Sequence, residues 1–121
     1  MDAPVFSSVM PSLPVADLER AIAFYTETLG FVLRFRNGFS FAIVCRDTVQ
    51  LGLIVPDLAG VSAGHGRCYC KLSSGIEALY ADYSSRSVSI RHELRDESYG
   101  MKEFMIADPD RNELNFGQPN S

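Results

Sequence analysis

The most restrictive feature of this chain is that it runs twice through one order of elements. Residues 5–13 read as a strand interrupted by Pro11. Proline has no N–H for a ladder, so it implies an edge or a crossing point there. Asp17 is a candidate helix N-cap, and Leu18, Ile22, Tyr25 and Leu29 follow at helical spacing. Gly30 stands where a helix commonly ends in the left-handed region. Strands are expected next over 31–36, 39–46 and 48–55, with Asn37-Gly38 as a hairpin signal and Arg46-Asp47 as a second tight turn. Residues 56–66, from Pro56 to Gly66 and carrying Gly, Ser and Ala, read as a linker. The order then recurs. It gives a strand over 67–72, a helix over 75–85 with Ile76, Leu79, Tyr80 and Tyr83 on one face, and strands over 88–94, 101–107 and 113–116. The repeat predicts an α+β fold of two βαβββ modules whose sheets form a curved, mixed surface with the helices packed outside. One domain over 1–121 is expected, with module one about 1–56, a linker over 57–66 and module two over 67–121. A curved sheet with one solvated face is a natural ligand site.

Composition narrows the function classes. The chain has 121 residues, 46% of them hydrophobic, which fits one domain with a real core and argues against disorder. The formal net charge of -4 disfavours nucleic acid, whose binders need a basic patch. Cys45, Cys68 and Cys70 are odd in number and sit in apolar runs, which argues against a secreted disulfide framework. The opening MDAPVFSSVMP has no basic region followed by an apolar stretch, and no run approaches the ~20 apolar residues of a membrane helix. A cytoplasmic protein with no membrane partner is the expectation.

The run LPVADLERAIAFYTETLGF resembles the opening unit of the vicinal oxygen chelate superfamily, which groups glyoxalase, bleomycin-resistance and dioxygenase proteins. The closing run MKEFMIADPDRNELNFGQP is similar to that superfamily's last hairpin. The middle RFRNGFSFAIVCRDTVQLGLI and the helix IEALYADY match too, so the resemblance covers nearly the whole chain. Within it, the proline-marked first strand, the NGFSFAIVCRD hairpin and YGMKEF look most like the bleomycin-resistance branch. That resemblance implies a homodimer in which the N-terminal strand crosses to the other subunit around a proline, matched here by Pro11, with two clefts at the interface.

The resemblance also implies four positions at which the superfamily's enzymes hold a divalent metal. Here they fall on Met10, Gly52, Arg67 and Asn115. Glycine offers no donor, arginine repels a cation, methionine is too soft for Mg or Mn, and asparagine is a weak donor. A shift of register brings in Cys68 or His65, but not four ligands at once. No metal and no cofactor are therefore expected.

The remaining chemistry is sparse. His65 and His92 have no Ser or Cys partner at a recognisable spacing, so no catalytic residue is assigned. Cys68 and Cys70 share a strand face and are expected to pack against the second helix. Asp108 and Asp110 belong to a DPD turn and are expected to bond its backbone. Phe39, Phe41, Tyr69 and Tyr99 stand where the bleomycin-resistance pattern puts cleft residues, against core packing as the plain alternative. Glu103, as an acidic partner for a cationic ligand, and Asn115 complete the expected ligand contacts. The chain departs from the pattern in having no Trp, and in carrying Arg111 where the family's last turn usually has Gly. The expected function is metal-independent binding of a small molecule, as in sequestration of a planar, cationic antibiotic. The alternatives are a lyase or isomerase of the same fold, and an interaction module without a ligand.

Overall fold

The computed structural model describes residues 2–57 and 61–120. Its first module is β1 (Ser12–Pro14), α1 (Leu18–Ala23), β2 (Val32–Asn37), β3 (Phe41–Arg46) and β4 (Val49–Ile54). The second is β5 (Arg67–Lys71), α2 (Ile76–Ser85), β6 (Ser89–Asp96), β7 (Met101–Ala107) and β8 (Glu113–Pro119). Each module makes its own four-stranded mixed sheet, in the orders β1-β4-β3-β2 and β5-β8-β7-β6. In each, the strand before the helix runs parallel to the last strand and the other pairs are antiparallel.

Three expected elements are corrected. The first strand is confined to Ser12–Pro14 rather than 5–13. The ladder begins only after Pro11, whose carbonyl accepts the Gly52 N–H at 2.8 Å. Among the described residues no strand lies beside those before it, and Val5, Phe6 and Val9 are 88–96% exposed. Second, β3 begins at Phe41 rather than Phe39, because the hairpin loop is longer than Asn37-Gly38 alone. Gly38 turns with φ +55, and the Ser40 N–H returns to the Asn37 carbonyl at 3.2 Å. Third, β8 continues past Phe116 to Pro119. Of the expected linker, residues 58–60 lie outside the described residues, and the rest of it carries no helix or strand.

The Asp17 carboxylate caps α1 by accepting the Arg20 N–H at 3.3 Å. Past Ala23 the helix widens into a π turn over Phe24–Thr28, closed by the Leu29 N–H on the Phe24 carbonyl at 3.0 Å. Leu18, Ala21, Tyr25 and Leu29 are buried, while Ile22 is only partly so. Gly30, at φ +81, ends the element as its sequence position predicts. In α2 the buried residues are Ile76 and Tyr83, with Leu79 and Tyr80 packed beside them.

One core joins both modules, running from Leu13 and Leu18 through Val44 and Leu53 to Phe104, Leu114 and Phe116. Each fully buried side chain of this size contributes about 1.5–3 kcal/mol. Polar links cross between the modules at its edge. The Tyr83 hydroxyl donates to the Leu29 carbonyl at 2.7 Å, and the Tyr25 hydroxyl to Asp108 at 2.8 Å. The Asp108–Asn112 turn carries the most of them. Asp108 Oδ1 accepts the N–H groups of Asp110 and Asn112, both at 2.9 Å. Asn112 Nδ2 donates to the Pro14 carbonyl at 2.8 Å, and its Oδ1 accepts the Gly66 N–H at 2.9 Å. The DPD carboxylate thus bonds backbone, as its turn residues imply. Arg111 sits at φ +70, a conformation that costs a side-chain-bearing residue roughly 1–2 kcal/mol.

The helices cover one face of each sheet and leave the other open. Alternation decides which residues go where. Cys70, Phe104 and Phe116 are buried with α2, so Tyr69, Glu103 and Asn115, their neighbours along β5, β7 and β8, lie on the open face.

Candidate functional site

On the open face of the second sheet, Glu103 is clamped between two tyrosines. Glu103 is 6% exposed although it lies on the side away from α2. Its Oε2 accepts the Tyr69 hydroxyl, and its Oε1 accepts the Tyr99 hydroxyl at 2.5 Å. Tyr69 comes from β5 and Tyr99 from the turn before β7, whose Gly100 has φ +87. Tyr69 pairs with Asn115 across the ladder, and Glu103 with Gly117. The tyrosine ring therefore leans over Gly117 to reach the carboxylate. A Cβ at 117 would lie 2.5 Å from Tyr69 Cζ and 3.0 Å from Cε1, so the bond requires glycine there.

A cavity of about 200 Å³ opens beside this clamp, lined by His92, Arg95, Tyr99, Glu103, Met105 and Asn115. The electrostatics follow from the hydrogen bonds. The Tyr99 hydroxyl is pushed up to about 12, chiefly by its bond to Glu103 and then by desolvation and the Glu103 charge. Tyr69 is raised as well, by burial first and the Glu103 bond second. Both phenols are therefore neutral donors at neutral pH, and the carboxylate they share is an acceptor. At the rim, Arg95 is taken by Glu97 at 2.7 Å and Arg67 by Glu113 at 2.5 Å.

The open face of the first sheet is apolar. Phe41 and Phe35 lie with ring centroids 6.3 Å apart, and Phe35 and Ile54 are exposed. Here too a glycine sits under a ring, since a Cβ at Gly52 would meet Phe41 Cε1 at 3.2 Å. Phe39 stands apart in the hairpin loop, 75% exposed, with the Arg36 guanidinium 5.1 Å from its ring centroid.

The structure thus brings Tyr69, Tyr99, Glu103 and Asn115 together, places Phe41 on the other sheet, and leaves Phe39 in a loop. Sequence reasoning missed Met105, His92 and Arg95 around the cavity, and the role of Gly117. Strand alternation from Glu103 points to Met105, and a glycine inside a strand is a signal of close approach. His65 is exposed in its loop at φ +65, and the Cys70 thiol is buried, its pKa pushed up by contact with Cys68 and by burial.

The four positions implied for a divalent metal do not suit one. The space of a side chain at Gly52 is taken by Ser12 Oγ, 3.0 Å from a Cβ there, and by Phe41. Arg67 is committed to Glu113, Met10 precedes β1, and Asn115 is a weak donor flanked by Tyr69 and Met105. Among the described residues no three His, Cys, Asp or Glu side chains converge. Nor is any helix among them long and apolar enough to cross a membrane.

Comparison with known proteins gives this geometry its context. Residues 6–116 match the family model of the Glyoxalase/Bleomycin resistance protein/Dioxygenase superfamily. A bleomycin resistance protein of Geobacillus stearothermophilus is 27% identical, the match covering 90% of this chain and 94% of that protein. TnmS3, an antibiotic binding protein from Streptomyces sp. CB03234, superposes with a TM-score of 0.80 at 27% identity, over 98% of this chain and all of that one. The bleomycin-binding protein of Streptomyces verticillus, solved with copper(II)-bleomycin, shares the fold with a TM-score of 0.79 at 23% identity, over 94% and 97% of the two chains. With its two βαβββ modules and a family match that spans nearly its whole length, the chain belongs to the glyoxalase/bleomycin resistance protein/dioxygenase superfamily.

Proposed function

We propose that this protein is a metal-independent, cytoplasmic binder that sequesters a planar, cationic antibiotic of the bleomycin type. The observation that carries the reading is the Tyr69–Glu103–Tyr99 clamp. It holds the Glu103 carboxylate between two phenols, where a flat cation gains Coulomb attraction to the charge and cation–π attraction to the neighbouring rings. Asn115 lines the same cavity as a neutral hydrogen-bonding group. Phe41 and Phe39 supply an apolar surface for the ligand's flat parts. Sequestration needs affinity only, and the two phenols bonded to Glu103 are raised in pKa, so neither is an activated nucleophile. The relatives support this choice within the superfamily, being a bleomycin resistance protein and an antibiotic binding protein.

A homodimer completes the proposal. The exposed arm before Pro11, with Val5, Phe6 and Val9, and the open apolar face of the first sheet are surfaces that a second copy would bury. In that arrangement the first strand crosses at Pro11, and each cleft combines the two kinds of open face. Sedimentation should show a weaker dimer for Pro11→Ala with the fold retained. An unchanged dimer constant would remove Pro11 from that role.

The reading is tested by incubating chelator-treated protein with metal-free bleomycin and recovering the ligand. Retention of bleomycin with unchanged mass supports sequestration. A chemically altered product would overturn it in favour of an enzyme.

A further inference from the structure

A second cavity, of about 660 Å³, lies on the opposite side of the second sheet from Glu103. It opens between the β3–β4 turn, the loop after β5 and helix α2. Part of its wall is apolar, formed by Phe31, Val49, Leu72, Leu79 and Phe116, with serines, Thr48 and charged groups making up the rest, and its size is that of small-molecule sites generally.

Two cations stand at its mouth, Arg46 and Lys71. Arg46 is held in place by one corner of its guanidinium. Nη1 donates to the Leu29 carbonyl at 2.7 Å and to the Tyr83 hydroxyl at 3.3 Å. Gly30 makes room for it, since a Cβ there would lie 2.9 Å from Nη1. The Nε and Nη2 edge finds no acceptor among the described residues. Nor do Arg46 and Lys71 have a carboxylate at ion-pair distance among them. Of the acids at this cavity, Asp82 is neutralised by Arg86 at 2.9 Å, which leaves Asp47 against the two cations. The mouth therefore carries a net positive charge over an apolar floor. A fixed guanidinium edge of this kind matches the two oxygens of a carboxylate.

We infer that this cavity binds a small amphipathic carboxylate, its apolar body against Phe31, Leu72 and Leu79 and its carboxylate on the free edge of Arg46 beside Lys71. The site is separate from the antibiotic-binding face proposed above and does not depend on it. Its occupant is an anion, whereas the Glu103 clamp suits a cation.

The test is an amide NMR titration of the full chain with 2-naphthoate, repeated with the neutral 2-naphthalenemethanol. The expected result is a saturable shift of Thr48, Ser73, Ser74, Gly75 and Ala78, with the alcohol about tenfold weaker. Arg46→Gln should weaken naphthoate by about tenfold or more. Because Arg46 also ties the modules together, Lys71→Glu serves as the second variant. Lys71 is exposed and makes no ion pair, so the fold should stand while naphthoate binding falls. Shifts confined to Tyr69, Glu103 and Asn115, equal affinity for acid and alcohol, or no saturable shift would overturn the inference.

Discussion

Gly117→Ala probes the clamp without replacing any of its three side chains, Tyr69, Glu103 and Tyr99. The added methyl would overlap the Tyr69 ring, whose Cζ lies 2.5 Å from the new Cβ. The flanking strand backbone is fixed by pairing on both sides, so the ring must move. Moving it breaks the Tyr69 bond to Glu103. A hydrogen bond to a charged group contributes about 1.5–3 kcal/mol. Tyr69 is 41% exposed, so its hydroxyl regains water and the loss falls at the lower end, about 2 kcal/mol. Alanine in a strand recovers about 0.5 kcal/mol over glycine, for a net destabilisation of about 1.5 kcal/mol. Urea unfolding measures this directly. In a Tyr69→Ala background the overlap is gone, and Gly117→Ala should be neutral or slightly stabilising. The double-mutant cycle should therefore show a coupling of about 2 kcal/mol. Equal effects of Gly117→Ala in both backgrounds would refute the reasoning.

Two further outcomes follow from single residues. Arg111→Gly relieves a left-handed residue with an exposed side chain and should stabilise the chain by about 1 kcal/mol in urea unfolding. Tyr99 is raised to about 12 in the folded state, above its unfolded value of about 10. Its contribution to stability is therefore complete below about pH 10 and lost as pH rises towards 12. Glu103→Gln should bring the Tyr99 midpoint back towards about 10 in a phenolate absorbance titration.

Much of the fold was legible because the element order repeats and because local chemistry agrees with it. Asp17, Gly30 and the DPD turn each do what their residue types imply. The misplaced boundaries have local causes. Val5, Phe6 and Val9 carry the composition of a strand, but a strand needs a neighbour, and Pro11 separates them from β4. A two-residue Asn-Gly turn would make Phe39 the first residue of β3, whereas the chain takes Ser40 to close the loop. The candidate site was legible in part. The resemblance points to Tyr69 and Tyr99 one at a time, and charge points to Glu103. That one carboxylate accepts both hydroxyls depends on a ring lying across a neighbouring strand, which residue spacing along one strand does not encode. Gly52 and Gly117 were the available signals, each being a strand glycine beneath an aromatic ring.

Metal-independent sequestration at the Glu103 clamp is tested by calorimetric titration of chelator-treated protein with metal-free bleomycin, alongside Glu103→Gln. Saturable binding at one ligand per chain is expected without added metal, weakened about tenfold or more when the Glu103 charge is removed. No binding by the wild type, or equal affinity for both proteins, would contradict it.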